Sequence, residues 1–482
     1  MRFCAIAVVG SRWLGLLAVL YLSLFHWMRE GYWEFSGVWQ YGLPLLDPRV
    51  PAALLWWAIT SAFWILLLLP LGLFLADRMP TGGRWQQMAL GGLALGLGTR
   101  GIVGPLVVRA AVGSPQELLP GGGEQLRSWL MEPYAARWLV ALTQAWWILP
   151  LLIVGLWLLG PEVVARPRTR WAIRGVLAAF ALLQPIDAPY LLTAGGPHGA
   201  TQSLLLLAFR EGFGREEFGY ACVLTVVLCL VSVPLGFLVK SLIHSVHPQP
   251  VLCPRTTRGP WLALVLLMLL PLGVAVQRNA GIPTFSGSVG SAAAVSLGLA
   301  CMGGIWTGGL GAALSGIRKG RTAGLLYGTL MFPLLVIVLP MIRVWGYRSG
   351  LPEILAMLLG LLVLAPHLSF SLLSAALLRQ RGAAMREIVP VVTLLAAWST
   401  WTELGLDVML SQHNHAWLPL QSRIAWELAT VLRPSPLTTP GWPLVWAGGT
   451  ILAWTTLSRL FHSVSVSSLA HGDPSPVSDG AI

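Results

Sequence analysis

Charged residues are scarce in this chain: Asp, Glu, Lys and Arg make up 10% of its 482 residues, compared with roughly 25% in a soluble globular domain. Hydrophobic residues make up 56%, and the mean hydropathy is +0.72. Because so few residues are suited to contact with water, this composition excludes an ordinary soluble enzyme and predicts an integral membrane protein.

The short motifs of nucleotide and metal chemistry are also missing. The sequence contains no G-x-x-x-x-G-K-[ST] phosphate loop and no H-E-x-x-H zinc motif. Its five cysteines have neither metal-ligand spacing nor the pattern of a disulfide framework. We therefore predict no enzymatic activity of the chain's own, no cofactor and no metal site.

The net charge of +12 does not indicate a nucleic-acid-binding protein. The basic residues stand in short clusters between apolar runs, as in 166–174, and they form no continuous face. Such clusters orient a membrane protein, because cytoplasmic loops are enriched in Lys and Arg. The bias predicts a multi-pass protein of the cell (inner) membrane, surrounded by lipid, with both termini in the cytoplasm.

Long apolar runs dominate the rest of the sequence. A membrane-spanning helix needs about 20 apolar residues, and a backbone in lipid must satisfy its own hydrogen bonds, which favours helices over open strands. We predict an all-α polytopic membrane protein with about twelve transmembrane helices, at 6–26, 52–76, 87–109, 135–160, 171–193, 220–244, 260–276, 288–316, 322–345, 351–378, 387–410 and 441–462.

The predicted spans divide into two six-helix halves. Residues 1–245 form the first half, 246–259 a polar, proline-containing cytoplasmic linker, 260–463 the second half, and 464–482 a disordered cytoplasmic tail. In each half a very short basic loop joins the fourth and fifth spans, and a longer external segment joins the fifth and sixth. Duplicated bundles of this kind are common among transporters.

Ionisable residues inside apolar spans cost roughly 2.5–3.5 kcal/mol each at the bilayer centre, and they usually face a cavity or a partner. Asp187 lies in the fifth span, and Glu403 and Asp407 lie in the eleventh, its equivalent in the second half. We predict that these acids line a substrate path; the alternative is that Asp187 and Asp407 are solvated near the outer interface. For Arg100 in the third span, the alternatives are a structural ion pair, snorkelling to the interface, or substrate contact.

The residues around Asp187 form a longer pattern. Residues 186–197 read I-D-A-P-Y-L-L-T-A-G-G-P, and A-T-Q follows at 200–202. This pattern resembles a signature of the sugar-type ABC-transporter permeases, of the maltose and glycerol-3-phosphate kind. The resemblance identifies Thr193, Gly195, Gly196 and Pro197 as the turn of the family motif.

The second half resembles the partner permease of the same systems. W-T-E-L at 401–404 is similar to that family's W-N-D-F, and L-P-L at 418–420 is similar to its later Leu-Pro element. Together the halves resemble two permeases fused in one chain. The resemblance implies an importer in which an extracytoplasmic solute-binding protein delivers a sugar or similar polar solute, and separate ATP-binding subunits drive alternating access.

The resemblance also implies two cytoplasmic loops that dock the ATPase subunits. In the family this loop carries Glu-Ala-Ala followed by Asp-Gly-Ala and forms a short coupling helix. The corresponding stretches here, 161–170 and 379–387, are shorter and contain no Asp-Gly-Ala. The coupling role would fall to Glu162, Arg166 and Arg168 in the first loop and to Arg381 and Arg386 in the second.

Other functions remain open at this point. A secondary transporter also has twelve spans in two halves, although nothing in the sequence resembles its motifs. A permease-like scaffold or sensor without ATPase coupling fits the shortened loops. A membrane-embedded enzyme lacks support because no catalytic constellation is present.

Overall fold

Helix is the main secondary structure in the described part of the chain. The structure is a computed structural model, and it describes residues 2–27, 33–80, 83–101, 103–105, 108, 131–183, 187–245, 260–266, 268–269, 287–316, 321–333, 368–380, 383–402 and 442–470.

In chain order the elements are α1 (Arg2–Leu22), β1 (Phe25–Trp27), β2 (Trp33–Phe35), α2 (Leu43–Leu46), α3 (Arg49–Asp77), α4 (Gly83–Gly98), α5 (Pro133–Leu159), α6 (Pro161–Ala165), α7 (Pro167–Leu182), α8 (Asp187–Thr193), α9 (Leu204–Phe209), α10 (Phe218–Ser245), α11 (Gly287–Leu314), α12 (Arg321–Leu330), α13 (Leu368–Gln380), α14 (Met385–Thr402) and α15 (Trp442–Ala470). A 3-10 helix, Gly37–Gly42, precedes α2, and π-helical turns occupy Trp64–Leu68 within α3 and Arg210–Gly214 after α9.

Four of the described helices are long and apolar enough to cross a membrane: α3, α5, α10 and the segment Ala292–Leu314 of α11. The pair α7 and α8 gives a fifth if it is taken as one span bent by 43°. The chain is therefore an all-α protein with several membrane-spanning segments. The remaining predicted spans are shorter or interrupted in the described residues, or lie partly outside them.

The predicted third span, 87–109, is interrupted rather than continuous. Helix α4 ends at Gly98, and the backbone turns through Thr99 and Arg100 to Gly101, which has φ +73°. A side chain at Gly101 would collide with the carbonyl oxygen of Thr402 at the end of α14. The close approach of another helix end thus requires glycine here, and hydropathy alone does not reveal it.

The predicted ninth span, 322–345, is also interrupted within its described part. Helix α12 ends at Leu330, three residues before Pro333, which has no backbone N–H and disfavours helix at the residue before it. The Ser232 hydroxyl of α10 donates to the carbonyl oxygen of Met331 at 3.2 Å. A carbonyl freed by the helix end therefore has a partner from another helix, as a backbone in lipid requires.

Both ends of the chain differ from the predicted boundaries. The first helix ends at Leu22, and residues 25–27 pair antiparallel with 33–35 instead of extending the predicted span to 26. Helix α15 continues to Ala470, so 464–470 are helical and the prediction of a disordered tail beginning at 464 is wrong for them. The sequence offers no glycine or proline before Gly472 to end the helix.

The helices of the two sequence halves pack against each other reciprocally. Helix α4, in the third predicted span, packs against α15, in the twelfth, while α10, in the sixth, packs against α12, in the ninth. Glycines permit both crossings: Gly98 abuts Thr450, and Gly328 abuts the backbone of Val233. Small residues at such crossings let helix backbones approach closely in lipid.

Candidate functional site

The family-motif turn follows α8 directly and is folded by its own backbone. Ala194 and Gly195 have φ values of +49° and +82°, and the Gly196–Pro197 bond is cis. The Gly195 amide donates to the Pro189 carbonyl at 3.1 Å, and the Gly196 amide donates to the Thr193 carbonyl at 2.8 Å. The motif residues Thr193, Gly195, Gly196 and Pro197 thus lie together in one turn between α8 and α9.

Threonine hydroxyls close this turn on itself. Thr193 and Thr201 are joined by a hydroxyl–hydroxyl hydrogen bond of 2.5 Å, and Thr201 also donates to the carbonyl oxygen of Gly196 at 3.0 Å. Thr201 is fully buried. The A-T-Q element of the resemblance therefore has a structural role, because its threonine holds the two ends of the turn together.

Two arginines from outside the turn hold it against the helices. Arg210 donates to the carbonyl oxygen of Ala194 at 2.8 Å, and Arg137 of α5 donates to that of Ala200 at 3.0 Å. The turn is thus fixed to both α5 and the π-helical turn after α9.

An ion cluster lies beside the turn and joins distant parts of the chain. Arg49, the first residue of α3, binds both carboxylate oxygens of Asp47 and donates to Glu211 Oε1 at 2.5 Å. The Tyr220 hydroxyl of α10 donates to Asp47 Oδ2 at 2.6 Å. Arg215 lies 3.5 Å from the same Glu211 oxygen. We call Asp47, Arg49, Glu211, Arg215 and Tyr220 the ion cluster.

Exposure differs strongly within the ion cluster. The Glu211 side chain is 3% exposed, Arg49 31% and Arg215 58%. Burial by itself raises the pKa of Asp47, but hydrogen bonds from Arg49 and Tyr220 outweigh it and hold the pKa of this carboxyl below its ordinary value. The sequence places Glu211 in an external loop, with no local signal that an arginine 162 residues earlier would pair with it.

Asp187 is the first residue of α8 and is 7% exposed. Its neighbours Ala188 and Leu192 belong to an apolar cluster with Trp147 of α5. This burial does not fit the alternative of a solvated carboxylate, because the side chain is enclosed by protein. The two other predicted path residues, Glu403 and Asp407, lie outside the described residues.

Arg100 lies in the turn after α4, between tryptophans from both sequence halves. Its Cζ is 5.4 Å from the ring centre of Trp147 in α5 and 5.3 Å from that of Trp398 in α14, and Nη1 donates to Ser399 Oγ at 3.5 Å. Trp147 is about 21 Å along α5 from its first residue, near the middle of the span. Arg100 is 6% exposed, so it does not snorkel to the interface.

The first predicted coupling loop contains a helix of its own. Helix α6 lies between Gly160, with φ +84°, and Pro167, the first residue of α7. Its residues Val163 and Val164 are buried, whereas Glu162, Arg166 and Arg168 are exposed. The loop therefore packs Val163 and Val164 of α6 on the protein, while Glu162 of α6 and the two arginines that follow α6 are exposed.

The second predicted coupling loop is shorter. Helix α13 ends at Gln380 and α14 begins at Met385, with only 383–384 described between them. Arg386 is exposed, and the Glu387 carboxylate accepts from the Ala384 amide at 3.2 Å, which caps α14. Arg381 lies outside the described residues.

Within the described ranges, no three His, Cys, Asp or Glu side chains lie close enough together to hold a metal ion. No protein-family profile and no curated protein matches this chain.

Proposed function

We propose that this chain is the membrane permease of a binding-protein-dependent ABC importer for a sugar or similar polar solute. In this proposal the two sequence halves, 1–245 and 260–463, are fused permease units of six spans each, with both termini in the cytoplasm. Separate ATP-binding subunits drive alternating access, and the chain itself catalyses no covalent step. The resemblance at 186–202 is what names this transporter class.

The observation that carries the proposal is the reciprocal packing of α4 with α15 and of α10 with α12. These pairs join the third predicted span of one half to the sixth of the other, in both directions. Two units related by a two-fold axis make contacts of this kind, because each contact occurs twice with the partners exchanged.

Equivalent pairs also recur inside the two halves. Helix α3 packs against α5 and α7, and α11 packs against α13 and α14, which are the equivalent spans of the second half. Helix α7 packs against α10 as α14 packs against α15. This correspondence supports a duplicated bundle, an architecture in which solutes bind between the repeats.

The solute path in this proposal runs between the halves, past the interrupted third span. Arg100, Trp147 and Trp398 meet there near mid-span, together with Ser399 of α14. In membrane proteins, irregular backbone is tolerated where protein or a cavity surrounds it, and interrupted helices often mark binding sites. Buried Asp187 supports a polar path through the first half.

A specific observation favours a second candidate, a permease-like scaffold or sensor without ATPase coupling. Only the first of the two loops has a helix of its own in the described residues: α6 separates α5 from α7, whereas four residues separate α13 from α14. A short loop offers less rigid surface to a partner. Copurification with ATP-binding subunits therefore separates the two candidates.

The experiment is affinity purification of the tagged chain from its native membranes, followed by identification of copurifying ATP-binding subunits. The proposal expects these subunits with the wild type and their loss with the pairs Arg166→Glu/Arg168→Glu and Arg381→Glu/Arg386→Glu. Arg84→Glu, an exposed charge reversal in the first turn of α4, is the matched control and should retain the complex.

Reporter fusions at Gly259 and at the C-terminus check that each variant keeps its topology, and both should report the cytoplasm. If the wild type yields no ATP-binding subunit, the coupled importer is rejected in favour of the scaffold or sensor. If the Arg84→Glu control loses the complex equally, the two loops are not the docking sites.

A further inference from the structure

The segment 35–46, before α3, presents an apolar surface that no described residue covers. Its exposed apolar side chains range from 41% exposure at Leu43 to 86% at Leu45. They are Phe35, Val38, Trp39, Leu43, Leu45 and Leu46. Single exposed apolar residues are ordinary, but a contiguous exposed apolar patch marks an interaction surface.

The segment carries no charged residue between 35 and 46. The nearest charges on its C-terminal side, Asp47 and Arg49, are bound to each other, and Arg49 also binds Glu211 within the ion cluster. The segment itself therefore contributes no charge to its outward surface, and the charges that follow it in the chain are paired within the protein.

The opposite side of the segment is fixed to the protein. Gln40 is 2% exposed and lies against Gly219 of α10, and the hydroxyls of Tyr41 and Ser23 are joined by a 2.6 Å hydrogen bond. The segment thus has one attached side and one apolar side, so its exposed residues are held in place rather than presented on a loose loop.

The chain changes direction where the segment meets the membrane span. Asp47 has an extended backbone, with φ −79° and ψ +114°, between α2 and α3. The 3-10 helix and α2 therefore do not continue the axis of α3. They form a separate short element at the level where α3 begins.

Lipid is the occupant that fits this surface. It is continuous along the chain with α3, whose Leu54, Leu55, Leu66 and Leu67 are exposed as the residues of a membrane span are. The level at which a span begins is the headgroup region, where tryptophan is enriched. Short elements with an apolar face lie in the plane of the membrane at that level.

We propose that residues 35–46 form an interfacial anchor, with Phe35, Trp39 and Leu45 inserted at the boundary between headgroups and acyl chains of the leaflet where α3 begins. This inference is independent of the proposed transport function. A docked protein or a second copy of the chain would cover the same residues, and the following test distinguishes those occupants from lipid.

The test is photocrosslinking of the full chain in vesicles of phosphatidylethanolamine and phosphatidylglycerol. Benzoylphenylalanine replaces Trp39 or Leu45 in separate proteins, and mass spectrometry of the labelled peptide reads the adduct. Leu66, exposed within α3, is the positive control, and Glu34, exposed just before the segment, is the control outside it.

We expect phospholipid adducts at positions 39 and 45 in yields comparable with position 66 and several times those at position 34. Adduct yields at 39 and 45 as low as at 34 would overturn the proposal, since the segment would then contact water. Crosslinks from 39 and 45 to a second copy of the chain, in place of lipid, would overturn it in favour of a protein interface.

Discussion

Replacing Arg49 by methionine tests whether the ion cluster fastens α3 to the region after α9. The substitution keeps a long side chain but removes the group that binds both Asp47 and Glu211. Glu211 is then left buried, with Arg215 at 3.5 Å as its remaining basic partner in the cluster. Asp47 keeps the hydrogen bond from Tyr220.

The size of the effect follows from these exposures. Removing one partner of a buried ion pair costs about 3–5 kcal/mol. The 31% exposure of Arg49 and the remaining contact with Arg215 reduce this cost, so we expect a loss of about 2–4 kcal/mol in the free energy of unfolding. Arg215→Met is the matched control, and because Arg215 is 58% exposed, it should cost under about 1 kcal/mol.

A double-mutant cycle with Glu211→Gln isolates the pair. Because each single change removes the same interaction, Arg49→Met and Glu211→Gln together should cost less than the sum of the two, by about 1–3 kcal/mol. The assay is denaturant unfolding of the purified protein in detergent, followed by tryptophan fluorescence and size exclusion. Equal losses for Arg49→Met and Arg215→Met, or strict additivity in the cycle, would refute the assignment of Arg49 as the main partner of buried Glu211.

Three further predictions concern pH, packing and the path. Because the folded-state pKa of Asp47 is lowered, the ionised form of Asp47 stabilises the fold above about pH 4. This contribution is lost as the pH falls through the folded-state pKa. Asp47→Asn should therefore flatten that part of a curve of unfolding free energy against pH. Gly448→Ala places a Cβ 2.6 Å from the Trp401 ring and should cost about 1–3 kcal/mol in an unfolding titration, whereas Gly155→Ala, with open space around it, should cost nothing measurable. In the proposed importer, Asp187→Leu should abolish solute uptake while membrane insertion, measured by membrane fractionation, is unchanged; normal uptake would remove Asp187 from the proposed path.

The turn at Gly195–Pro197 has a local cause, because glycine permits a positive φ and proline fixes its own φ. Local sequence was not sufficient to predict what holds that turn in place. Arg137 and Arg210 contact the turn from other elements. Such contacts depend on how the helices pack and not on the residues that neighbour the turn in the sequence.

The predicted third span shows a related difficulty. Hydropathy sums the apolar preference of side chains over a window of residues. The run 87–109 contains enough apolar side chains to be predicted as one helix. The interruption at Gly101 depends on the carbonyl oxygen of Thr402, which approaches from another helix. The same applies to Glu211, which lies in the external segment between the predicted fifth and sixth spans and which the fold buries against Arg49.

During synthesis of the chain, Arg49 is made together with Asp47 and well before Glu211. Glu211 lies 162 residues after Arg49, and a ribosome adding 5–20 residues per second needs roughly 10–30 s to reach it. Asp47, two residues away, binds the guanidinium with no such delay. The local carboxylate is thus a counterion that is present beside the arginine before the distant partner is made.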